Sequence, residues 1–93
     1  MPYIKLRERN RIDADLTKVL MASQGELTYA ITKLMMNYVE QRGMLDYSNS
    51  SAVMASCRDA DREWQRQVHE RYEDHKKREN GDCFQEFVRK QNI

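Results

Sequence analysis

Residues 48–82 read SNSSAVMASCRDADREWQRQVHERYEDHKKRENGD. No proline interrupts the run, and Val53, Cys57, Ala60, Trp64, Val68 and Tyr72 recur at steps of 4, 3, 4, 4 and 4. That recurrence is a thin apolar line on one long charged helix, predicted over residues 49–79. Ser48, Asn49, Ser50 and Ser51 offer N-caps, and Asn80-Gly81 is a strong stop. A helix of that length reaches about 45 Å at 1.5 Å per residue.

On the N-terminal side, Leu27, Ala30, Ile31, Leu34, Met35, Tyr38 and Val39 form a wide apolar stripe on a helix predicted over 25–42. Ser23-Gln24-Gly25-Glu26 has the form of a capping box, and Gly43 stands where a left-handed C-terminal cap is wanted. Tyr29 and Met36 lie off the stripe, seven residues apart and so on a common side. The loop from Gly43 to Tyr47 is short, which turns the long helix back antiparallel to this one. The shorter helix spans only about 27 Å by the same rise, so Arg66 to Glu79 outruns its intramolecular partner.

Further out, Asp13 reads as the N-cap of a short helix over 13–22, with Ala14, Leu16, Val19 and Leu20 at helical spacing. Residues 1–12, MPYIKLRERNRI, alternate crudely between apolar and basic side chains. They are expected to be an arm that orders on another surface, its own hairpin or a second subunit, or else a frayed tail. At the other end, Asp82 and Gln85 suggest a second capping box opening a helix over 82–91, with Phe84, Phe87 and Val88 as its apolar patch. The expectation is an all-α fold in a single domain, 1–93. It is an antiparallel helical hairpin with a long second helix and short helices at both ends, and its surplus apolar strips call for a homo-oligomer.

Composition agrees. With 40% apolar and 33% charged residues and one proline in 93, the chain suits helices and buries only a small core. Residues 1–24 carry five basic and three acidic groups, 25–48 two and three, and 49–93 nine and nine. Such even mixing excludes the concentrated basic face of a duplex-binding protein. No apolar run approaches the roughly 20 residues of a membrane span, and no signal-peptide core is present. A soluble cytoplasmic protein with Cys57 and Cys83 reduced is therefore expected.

Chemistry is sparse. His69 and His75 are six apart and face opposite sides of a helix, which is wrong for sharing a metal. Glu70, Glu73 and Asp74 crowd one turn. They read either as an acid/base or metal cluster or as a solvated face in which Glu73–Lys77 and Asp74–Arg78 pair at i, i+4. No phosphate loop, nucleophile elbow or dinucleotide fingerprint occurs, so no catalytic residue, metal or cofactor is assigned. Trp64 reads as core. The tyrosines together with Arg62, Arg66, Lys76 and Arg78 are either core and surface residues or a stacking, cationic surface for a small anionic aromatic ligand.

Several stretches are familiar in combination: Met1-Pro2-Tyr3-Ile4, Gly25-Glu26-Leu27-Thr28-Tyr29-Ala30-Ile31-Thr32, Leu45-Asp46-Tyr47-Ser48, and Tyr72-Glu73-Asp74-His75-Lys76 with Glu79-Asn80-Gly81-Asp82. Together they resemble a small uncharacterised family, a domain of unknown function carried largely by tailed bacteriophages. Cys83-Phe84 departs from the valine and aromatic expected there. The resemblance implies a phage gene product acting in the host bacterial cytoplasm, a setting in which small proteins often counter host defence.

The functional expectation is binding without catalysis. A homo-oligomer sequesters a small nucleotide-like defence signal at a subunit interface, with Tyr29, Arg62, Arg66, Tyr72, Lys76, Arg78 and Asn80 holding the ligand. Tyr3, Ile4, Leu6, Trp64, Phe84 and Phe87 form the interface. The alternative is a protein-protein inhibitor of a host defence complex, which requires an exposed charged or apolar patch and no pocket. A third reading, a small hydrolase using Glu70, Glu73 and Asp74, requires metal-dependent turnover.

Overall fold

The computed structural model of the chain describes residues 2–91; Met1, the first residue of the predicted arm, lies outside them. The fold is all-α, with no strand among the described residues. The helices are α1 (Leu6–Leu16), α2 (Gln24–Arg42), α3 (Tyr47–Trp64), a π-helical segment (Gln65–His69), α4 (Glu70–Asn80) and α5 (Cys83–Lys90). The chain divides into two units, Met1–Ala60 and Asp61–Ile93, where the sequence suggests one.

In the first unit, α1 begins at Leu6 and not at Asp13. Residues 6–12, read as an irregular arm, are helical. Leu, Arg and Glu are good helix formers, and Glu8 supplies the cap: its Oε2 accepts from the backbone N–H of Lys5 at 3.4 Å. Asp13 is an interior residue of α1, and its carbonyl accepts from both the Thr17 backbone N–H (3.1 Å) and the Thr17 hydroxyl (2.7 Å) as the helix closes. The predicted helical run through residue 22 stops at Leu16, and Ser23 is extended (φ −151°, ψ 166°) as the cap of α2. Leu20 is thereby left 91% exposed.

α2 matches its prediction closely. Ser23 Oγ accepts from the Glu26 backbone N–H at 3.2 Å. The return half of the box differs, since the Glu26 carboxylate accepts from the Ser23 hydroxyl at 3.4 Å. Gly43 closes the helix at φ 94° with its N–H on the Glu40 carbonyl, a left-handed position that favours glycine. After the turn, Asp46, ahead of the serines, caps α3, which starts at Tyr47, two residues before the predicted start. Its Oδ1 accepts from the Asn49 backbone N–H at 2.7 Å, and Asn49 Nδ2 donates to the Met44 carbonyl at 3.0 Å. α3 then comes back to α2: Cys57 Sγ lies 3.6 Å from Met35 Sδ. Ala30, Met35 and Val39 on α2, and Val53, Ala55 and Cys57 on α3, are partly covered, and no described residue of the chain is fully buried.

In the second unit, the predicted single α-helix contains a π turn, closed by the Glu70 backbone N–H on the Gln65 carbonyl. Helical residues nonetheless continue to Asn80, as the Asn80-Gly81 stop requires. Gly81 takes φ 88° and ψ 168°, a region open essentially to glycine alone. Asp82 Oδ1 then accepts from the backbone N–H groups of Phe84 (2.9 Å) and Gln85 (3.4 Å), starting α5 where the sequence places it.

Candidate functional site

The π turn bears directly on the apolar line. Two successive steps of four, Trp64 to Val68 to Tyr72, overshoot a 3.6-residue turn by about 80° in all. A π turn, closed by i→i+5 bonds, takes in the extra residues. Trp64 precedes that turn, Val68 lies within it and Tyr72 follows it, and the three are 62%, 45% and 58% exposed. Trp64, read as core, is thus a surface residue.

Along the same stretch, the charged side chains pair with their own helix. His69 Nε2 lies 3.2 Å from Glu73, His75 Nε2 2.9 Å from Glu79, Lys76 Nζ 3.5 Å from Glu79 and Lys77 Nζ 3.9 Å from Asp74. The expected Glu73–Lys77 pairing gives way to Asp74–Lys77 at i, i+3, and Glu73 faces His69. Glu70, Glu73, Asp74 and Lys77 line a shallow open groove on the helix surface. No group of three potential metal ligands converges among the described residues. Glu70, Glu73 and Asp74 are all exposed, and Glu73 and Asp74 face His69 and Lys77 of their own helix.

Of the seven ligand-binding candidates, six lie in the second unit. Lys76 Nζ sits 5.7 Å from the centre of the Tyr72 ring, a cation–π contact, and Arg66 Nη2 lies 3.7 Å from Glu63. Arg62, Arg78 and Asn80 are exposed. Tyr29 is in the first unit, where it lines an open, mainly apolar notch with Val19, Leu20 and Met21. The interface candidates are all exposed: Tyr3, Ile4 and Leu6 at 60%, 39% and 61%, and Trp64, Phe84 and Phe87 at 62%, 74% and 60%. Cys57 is partly covered and Cys83 exposed, both as free thiols. The exposed seam on α2, described below, was missed as a surface, because its residues were all assigned to the intramolecular stripe.

No described helix is long and apolar enough to cross a membrane. A family model described as a domain of unknown function, DUF6899, matches residues 1–83. No curated protein and no solved structure matches the chain.

Proposed function

The chain belongs to that family of unknown function, and we propose that it is a non-catalytic binding protein that engages a protein partner through an exposed apolar line. The observation that carries this reading is the exposure of Trp64, Val68 and Tyr72, four residues apart in sequence and all at least 45% exposed. Their helix pairs its own charges along its length. Aligned, exposed large apolar side chains mark interaction surfaces, and Trp and Tyr are the residues most often found to dominate binding energy. The resemblance to tailed-phage proteins supplies the setting: the host bacterial cytoplasm, with a host defence complex as the class of partner and this chain as its inhibitor.

Sequestration of a nucleotide-like ligand at a subunit interface is the second reading. Lys76 over Tyr72 favours it, as a cation and a ring placed together suit a phosphate and a base. Against it, the ring already carries Lys76, and Lys76 is already paired with Glu79.

The test uses the full chain, tagged, expressed in a bacterial host and crosslinked in cells. A partner is expected in near-stoichiometric amount, falling by about ten-fold or more in Trp64→Ala/Tyr72→Ala while circular dichroism stays helical. Retention of the partner by that variant would remove the apolar line from the account. Native mass spectrometry after incubation with host nucleotide extract is expected to show bare protein. An adduct lost in Lys76→Ala would replace this reading with sequestration.

A further inference from the structure

α2 carries an apolar seam that its own hairpin leaves open. Leu27, Ile31, Leu34 and Tyr38 follow steps of 4, 3 and 4, the heptad spacing of helix pairs. At 100° per residue they fall within about 60° of one another. They are nevertheless 46%, 42%, 48% and 38% exposed. Coverage falls on the flanks: Met35 and Val39 lie on the side where Cys57 of α3 meets Met35, and Ala30 lies on the other.

We propose that this seam is the contact between two copies of the chain, α2 against α2. Three observations select a second copy as the occupant. First, a heptad seam interlocks with another helix of the same period, and the matching set on α3 is already partly covered at Val53 and Cys57. The free set in the first unit is α2 itself. Second, the seam is free of charge. Glu26, Lys33 and Glu40 recur every seven residues on a separate line, at least about 80° around the helix from every seam residue, so self-pairing buries no ion and opposes no like charges across the seam. The remaining charge, Arg42, lies 5.1 Å from the centre of the Tyr38 ring, at the seam's edge, an Arg–Tyr pairing typical of interfaces. Third, a two-fold contact uses each side chain twice. Four large side chains, each 38–48% exposed, thus supply the apolar centre of the contact from both partners. The proposal concerns the first unit alone and stands or falls independently of the partner-binding line in the second.

Sedimentation equilibrium of the full chain is expected to give twice the 11.2 kDa chain mass, and Ile31→Glu is expected to return it to one chain. Met36→Glu, on the opposite face and 52% exposed, is expected to leave the doubled mass intact. A wild-type protein that sediments as a single chain, or an Ile31→Glu protein that stays doubled, would overturn the proposal. If Ile31→Glu loses its helix, hydroxyl-radical footprinting of the wild type across dilution decides. Tyr38 is expected to be protected at high concentration and exposed at low, with Tyr29 labelled equally at both. Equal labelling of Tyr38 at both would place the contact on another face.

Discussion

The two units hold their helices by different means. In residues 24–60, α3 returns to α2 and a Met–Cys contact joins side chains 22 residues apart, with partly covered positions on both helices. In residues 61–91, the described side-chain pairs, three Arg/Lys–carboxylate and two His–carboxylate, run within one helix at i, i+3 or i, i+4, and the large apolar side chains are open. Tertiary packing is the usual source of helix stability in proteins, whereas short-range pairs contribute only tenths of a kcal/mol each. The first unit therefore adds a tertiary contact and partly covered side chains to its local bonds. The second is a helix stabilised by local pairs, with its apolar groups left over for something else.

The largest effect that sharpens this contrast is a truncation made once in each unit. Met35→Ala, at the α2–α3 contact, is expected to cost about 1–2 kcal/mol, below the range for a fully buried methionine because the site is only partly covered. Trp64→Ala removes a larger side chain, yet is expected to cost less than about 0.5 kcal/mol, as for surface positions. Urea unfolding measures both, and an equal or larger cost at Trp64 would mean that the second unit is packed too.

Caps are expected to act alike in both units, since they depend on backbone geometry alone. Ser23→Ala and Asp82→Ala should each cost about 1 kcal/mol, read as faster amide exchange in the first turns of α2 and α5. A cap loss felt in one unit and not the other would break the assumption that both helices start by the same local bond.

The smallest effect is Glu79→Gln, which removes the negative charge that His75 and Lys76 face. These side chains are 45–56% exposed, so the expected loss of α4 helicity corresponds to no more than about 0.5 kcal/mol. High salt should reduce it. A salt-insensitive loss would indicate a role beyond surface pairing.

Much of the fold was legible where one residue type answers one backbone need. Ser23 followed by Glu26, Gly43, Asn80-Gly81 and Asp82 each marked a helix end that the structure contains. The start of α1 was not legible in the same way. Lys5 has no side-chain acceptor, and the signal was Glu8 reaching back to its amide, which crude alternation of apolar and basic residues obscured. The choice of Asp74 over Glu73 by Lys77 was likewise hidden, because both spacings bring side chains within reach and rotamers decide between them.

The sequence by itself determined that the chain is helical, where most of its helices stop, and that acidic and basic residues are evenly mixed along it. Propensity, caps and composition are local quantities. Only the tertiary structure decided which side of α2 meets α3, and so left Leu27, Ile31, Leu34 and Tyr38 open. It also decided that Trp64, Val68 and Tyr72 form a surface and not a core. Periodicity shows that a face is apolar, but only the arrangement of neighbouring helices shows whether that face is covered.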